Sequence, residues 1–189
     1  MKRYIKSATS SILNESPEDL QDIALDPNTP AELLEKLSYV SNPTVWLCLI
    51  CNPNTPKSVI DNLLTSTSWE FLEQVALCLS TPPDILRRLS SHPNVAVRSK
   101  VAFNSSTPPD ILKKLADDEN LSVRWNVAGN KNTPVDVLVR LSECHNPTIL
   151  GEVAENVSTP DDIVLKLSNS PNEVVRGLAK RSLRQRGLL

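Results

Sequence analysis

Apolar residues in this chain arrive in two alternating bursts. The first has the form Leu33, Leu34 and Leu37, or Ile85, Leu86 and Leu89, or Ile111, Leu112 and Leu115. A spacing of i, i+1 and i+4 lines one face of a helix. The second burst is Val97, Val101 and Ala102, repeated as Val123, Val127 and Ala128, which is again one helical stripe. Polar stretches rich in Asn, Pro and Ser separate the bursts, so each pair predicts two short helices. Helices of about ten residues are marginal alone in water, and each must bury its stripe against a neighbour.

The pair of bursts returns every 26 residues, and a Thr-Pro step marks the period at Thr29, Thr55, Thr81, Thr107, Thr133 and Thr159. Self-similarity at such a period is the sequence mark of a stacked helical array. With Thr as position 1, the reading predicts Thr as N-cap of the first helix and Pro at its first turn, with an acid at position 4. Leu occupies position 9 in every copy. The second helix opens on Asn at position 14 (Asn42, Asn94, Asn120, Asn146, Asn172). It closes on Asn at position 24 (Asn52, Asn104, Asn130, Asn156), expected in the left-handed closing conformation. The 15 prolines fall only at positions 2, 3, 13, 15 and 25, which are first turns or connections and never a helix middle.

These features predict an all-α solenoid of about six and a half two-helix repeats, counting Pro17–Asn28 as a leading second helix. Residues 1–16 form an N-terminal segment outside the repeats and a candidate for disorder; 17–183 form the repeats and 184–189 a C-terminal tail. Repeat 2 is the least regular copy, because Thr65–Trp69 replaces the usual Asn-containing turn, and it is a candidate local bend.

The pattern His92-Pro-Asn-Val-Ala-Val-Arg98, Val101-Ala102, Asn104, Thr107-Pro108, Leu112 and Leu115 resembles the leucine-rich repeat variant family. The resemblance covers roughly residues 17–180. It implies a right-handed α-solenoid of alternating α- and 3₁₀-helices, used as an interaction scaffold. That family includes a member with a cysteine-rich segment linked to an iron–sulfur cluster. Here Cys48 and Cys51 share a helix and Cys78 lies one repeat on, but Cys144 is almost four repeats from Cys48, on the order of 30 Å away. A closed metal site normally takes four ligands, so we expect no cofactor and no metal.

Charge adds less than it promises. A basic column at position 8 (Lys36, Arg88, Lys114, Arg140, Lys166) follows the position-4 acids by four residues, the spacing of a helical ion pair. We therefore expect it to be self-neutralised, and the net charge of −2 agrees. Position 18 differs, reading Trp46, Leu72, Arg98, Arg124, Leu150 and Arg176, with Trp125 beside Arg124. The arginines either bond carbonyls or acids of the stack, with Asp117-Asp118-Glu119 a candidate internal partner, or face a binding partner. Arg and Trp are enriched where partners bind tightly. Arg98, Arg124, Trp125, Arg176 and Trp46 are thus the candidate partner-binding residues.

Catalytic groupings are thin. His92 and His145 sit in turns two repeats apart, and none of the four glycines builds a phosphate loop. No catalytic residue is assigned. The N-terminal Met1–Ser7 lacks the apolar core of a signal peptide, and no apolar run is long enough to cross a membrane, so we expect a cytoplasmic protein. The expected function is a non-enzymatic helical-repeat scaffold holding a protein partner along its extended surface. Alternatives are an iron–sulfur or metal-carrying redox member of the same family, or a weak nucleic-acid-binding solenoid.

Overall fold

A computed structural model describes residues 15–189, with the side chain of Ser66 left aside. The predicted N-terminal segment lies outside the described residues except for Glu15 and Ser16, and Ser16 caps the first helix. In chain order the helices are α1 Pro17–Leu25, α2 Ala31–Leu37, α3 Pro43–Cys51, α4 Lys57–Ser66, α5 Trp69–Leu77, α6 Pro83–Leu89 and α7 Val95–Phe103. They continue as α8 Pro109–Leu115, α9 Leu121–Gly129, α10 Val135–Leu141, α11 Pro147–Glu155, α12 Asp161–Leu167 and α13 Glu173–Gln185. There is no strand among the described residues. The fold is an all-α helical-repeat solenoid.

The chain divides into two units. One runs to Val75 and includes Ser80–Pro82; the other takes Ala76–Leu79 and Pro83–Leu189. In the first unit α1 packs on α3, with α2 against both. In the second, α7, α9, α11 and α13 stack in sequence, while α8 leans on α7 and α9, and α12 on α11 and α13. The odd-numbered helices are thus the spine within each unit, and the even-numbered ones are a flanking layer. The core lies between them. Val97, Val101 and Ala102 of α7, Ile111 and Leu112 of α8, and Val123, Val127 and Ala128 of α9 are essentially inaccessible to solvent. These are the apolar bursts read from the sequence.

Asn at position 14 caps the spine helices as predicted. Its Oδ1 accepts from Thr44 N (2.9 Å), Ala96 N (2.8 Å), Ser122 N (2.9 Å) and Thr148 N (3.0 Å) in four of the copies. The flanking helices are shorter than expected, mostly seven residues. The resemblance implies one 3₁₀-helix per repeat. Among the described residues both helices are α-helical, and i→i+3 bonding sits at the ends of the flanking helices. Leu33 N–H donates to Pro30 O (2.9 Å), and Tyr39 N–H to Lys36 O (3.2 Å).

Three local expectations are corrected. Thr at position 1 is not an N-cap: Pro30, Pro56, Pro108, Pro134 and Pro160 occupy that place, with no side-chain cap bond. The Thr hydroxyl turns back and donates to the carbonyl six residues earlier, as in Thr55 to Leu49 (2.7 Å), Thr107 to Val101 (2.6 Å) and Thr159 to Val153 (2.6 Å). It thereby satisfies one of the carbonyls that every helix C-terminus leaves open.

Asn at position 24 is not left-handed either; Asn52, Asn104, Asn130 and Asn156 have φ between −83° and −62° and extended ψ. Each buried side chain instead reaches the preceding repeat. Asn130 Nδ2 donates to Ala102 O (2.8 Å) and Asn104 O (2.9 Å), and Asn156 Nδ2 to Ala128 O (2.6 Å) and Asn130 O (2.9 Å). Oδ1 accepts from the backbone two residues on, at Asn132 N and Ser158 N (both 2.9 Å). The result is a buried amide ladder. Its position-24 residue at 78 is Cys, and the chain divides into its two units beside that point.

The third correction concerns charge. Asp110 and Asp136 pair with Arg87 and Lys113 of the preceding repeat, and not with the bases four residues on. Lys114 reaches Ser90 and Ser91, and Arg140 reaches Asp117 (3.2 Å). These ion pairs are exposed and screened by solvent, so each contributes little to stability.

Candidate partner-binding surface

Position 18 is built from the turn upward. Each turn between the two helices of a repeat leaves carbonyls pointing outward, and the long side chain at position 18 folds back onto them. Arg98 Nη1 donates to His92 O (2.9 Å) and Pro93 O (3.0 Å), and Arg124 Nη1 to Asp118 O (2.6 Å) and Glu119 O (3.0 Å). Arg176 Nη1 does the same to Ser170 O (2.7 Å) and Pro171 O (3.3 Å). Trp46, in the first unit, uses its indole N–H on Ser38 O (3.2 Å) and meets Phe71 edge-on, ring centroids 5.7 Å apart. Four side chains of two types therefore brace the same turn.

Arg98 goes further and links two repeats. Its Nε and Nη2 grip both oxygens of Asp118 at 2.7 and 3.0 Å, the fork-to-fork geometry in which arginine is strongest. The side chains are only 11% and 7% exposed. Burial pushes the Asp118 carboxyl up, but the Arg98 hydrogen bonds, the Asn120 N–H and the charges of Arg98 and Arg124 outweigh it, leaving it below its ordinary value.

Trp125 is placed differently from the other four candidates. It is 38% exposed, and beside it on the same spine face Phe103 is 62% exposed. With Asn126, Gly129, Asn130 and Glu152 they line an open notch of roughly 170 Å³ across α7, α9 and α11. Gly129 is what keeps it open, since a Cβ there would lie 2.8 Å from Glu152 Oε2. The Glu152 carboxylate is half-buried over that gap. Burial raises its pKa above the ordinary glutamate value, and the nearby Trp125 indole offsets only part of this.

Phe103, Glu152 and Asn126 were not singled out by sequence reasoning. They stand at positions 23, 20 and 20 of three successive repeats, and stacking brings such residues together. The same register joins Asn126 Nδ2 to Ser99 Oγ (2.7 Å) and pairs Arg181 with Glu155. An exposed aromatic at position 19 was the available signal.

Comparison with known proteins supports the fold. A solved structure described as a leucine-rich repeat variant with a novel repetitive protein structural motif is similar over 92% of this chain and 70% of that one. Its TM-score is 0.59 at 20% identity. A crystal structure of an engineered protein aligns over 93% of this chain and 92% of that one at 17% identity, but with a TM-score of 0.32 that carries no argument. No protein-family model matches the chain, and no curated protein matches its sequence.

Among the described residues no three of His, Cys, Asp and Glu gather as metal ligands, and no helix is long and apolar enough to cross a membrane. Cys48 is buried, while Cys51, Cys78 and Cys144 are partly buried.

Proposed function

We propose that this chain is a non-enzymatic helical-repeat scaffold of the leucine-rich repeat variant type, acting in the cytoplasm, that holds a protein partner on the outer face of its spine helices. One observation carries the reading: Trp125 and Phe103 stand exposed beside a half-buried acid. A large aromatic held rigidly at the surface has the character of a binding hot spot. The position-18 arginines enter as supports. By bracing the turns they fix the pitch at which successive spine helices present their surface, and Arg124 holds the helix that bears Trp125.

The test is affinity capture from native extract with the wild-type chain, Trp125→Ala and Arg124→Ala, each with a thermal melt. Trp125→Ala should weaken retention of the partner by about fivefold or more, corresponding to about 1 kcal/mol, with an unchanged melt. Arg124→Ala should lower the melting temperature, because the turn carbonyls of Asp118 and Glu119 lose their donor. Undiminished capture by Trp125→Ala would remove this face as the binding surface.

A further inference from the structure

We infer that the notch between Trp125 and Glu152 receives an arginine side chain of the protein partner. The inference rests on the scaffold reading and specifies what the partner must offer. Its basis is an inventory of the polar atoms that line the notch. Asn126 Nδ2 is spent on Ser99 O and Oγ. Asn130 Nδ2 is spent on the ladder, and Asn130 Oδ1 accepts from Asn132 N. What the lining still offers is mainly acceptors, the Glu152 carboxylate and Asn126 Oδ1, beside one neutral donor, the Trp125 indole N–H. The one charge in the lining is the Glu152 carboxylate, which favours a donor-rich cation and disfavours an acidic group.

The walls choose the kind of cation. Trp125 and Phe103 line the notch together with the carboxylate, and aromatic faces attract cations within about 6 Å. Arginine is suited to both surfaces at once, because its planar guanidinium stacks on rings while its forked donors meet a carboxylate, and it sheds water more readily than an ammonium. Glu152 is half-buried and no ion pair of its carboxylate is formed among the described residues, so a guanidinium from the partner would be its charged complement. Burial that raises its pKa also strengthens its pull on an incoming cation. The nearby basic residue Arg181 is already paired with Glu155.

The experiment uses the full chain labelled with ¹⁵N and reads the indole N–H resonances of its three tryptophans, with that of Trp125 assigned by Trp125→Phe. The probe is the blocked peptide Gly-Ser-Gly-Arg-Gly-Ser-Gly; the control replaces arginine by citrulline, which has the same shape without charge. The Trp125 resonance should shift saturably with the arginine peptide and at least about fivefold less tightly with citrulline. Two variants keep the result independent of folding. Glu152→Gln preserves shape, and Gly129→Ala places a methyl where the carboxylate sits while favouring the helix; both should weaken the probe by about fivefold or more with no loss in the melt. Equal response to citrulline, silence at Trp125, or wild-type binding by both variants would overturn the inference. If partner capture needs Trp125 but ignores Glu152→Gln, the scaffold reading stands and the guanidinium site falls. If the peptide binds but capture ignores Trp125, the reverse holds.

Discussion

Changing Asn130 to Ala removes three hydrogen bonds from a site that is 5% exposed. Nδ2 no longer serves Ala102 O and Asn104 O, and Oδ1 no longer serves Asn132 N. Ala102 lies in the last turn of α7, so its carbonyl has no helical partner to return to. Leaving a buried donor or acceptor unmade costs about 1–3 kcal/mol, so three such groups set the loss at roughly 3 kcal/mol or more. That is a large share of the 5–15 kcal/mol typical of a folded protein. Urea unfolding followed by far-ultraviolet circular dichroism should show a lower midpoint with unchanged slope, and the exposed neighbour change Lys131→Ala should stay within about 0.5 kcal/mol of wild type. Two further variants isolate the cause. Asn130→Asp keeps the Oδ1 acceptor but sets an anion against two carbonyls, so at neutral pH it should be worse than Ala and should recover in part as acid protonates it. Asn130→Gly would be harmless or stabilising if this residue were a left-handed helix cap. A neutral Gly variant would refute the ladder as the source of stability.

Other expectations follow from the same bonds. Thr133→Val keeps shape but removes the hydroxyl donated to Val127 O, and should cost about 1–2 kcal/mol in chemical unfolding. Asp118 sits below its ordinary pKa, so its contribution is present above the usual carboxylate range and is lost as pH falls through the lowered value. Asp118→Asn should accordingly be less stable than wild type at pH 7, with the gap closing in acid when melts are compared. Glu152 has the opposite sign: its raised pKa means that ionisation opposes folding above that value, so Glu152→Gln should melt no lower than wild type at neutral pH and lose any advantage in acid. Gly177→Ala meets nothing within 4 Å and should stabilise α13 by about 0.5–1 kcal/mol. Deleting a whole unit, Thr107–Asn132, should leave a cooperatively unfolding helical protein, whereas deleting half of it should not.

How much of this was legible in the sequence depends on the range over which each residue acts. The apolar bursts and the Asn at position 14 act within a few residues, and both were placed correctly. The Asn at position 24 was misread because local rules know only its own helix end, whereas its partners lie 26 and 28 residues back. A clue was present: a left-handed position would tolerate Gly, yet none of the position-24 residues is Gly, and the exceptions to Asn are Asp26, Cys78 and Ser182. Thr at position 1 carried a similar clue, never being replaced by Ser, Asp or Asn, which cap as well or better. The position-4 acids were paired within their own helix because the i,i+4 rule is local, while stacking offered Asp110 and Asp136 a nearer base across the repeat. The notch needed side chains from three repeats, and only their common register could have joined them.

That register also bears on where the proposed binding face lies. Within a repeat, positions 5, 6, 9, 17, 21 and 22 fill the core, and positions 1 and 24 close the buried hydrogen bonds. Position 18 holds the turn. A stacked array cannot vary these without losing the contact that each unit needs from its neighbour. The outer spine positions are less uniformly committed. Position 19 reads Ser99, Trp125, Gly151 and Gly177 in the second unit, and position 20 reads Lys100, Asn126, Glu152 and Leu178. Residues as unlike as these share a place where the stack sets no single side chain, although Gly151 is buried close to Leu178 and Asn126 bonds Ser99. One bulky aromatic among small neighbours there, set over a carboxylate with a glycine holding the space open, is a local departure that packing does not require. Binding is the reading that gives it a cause.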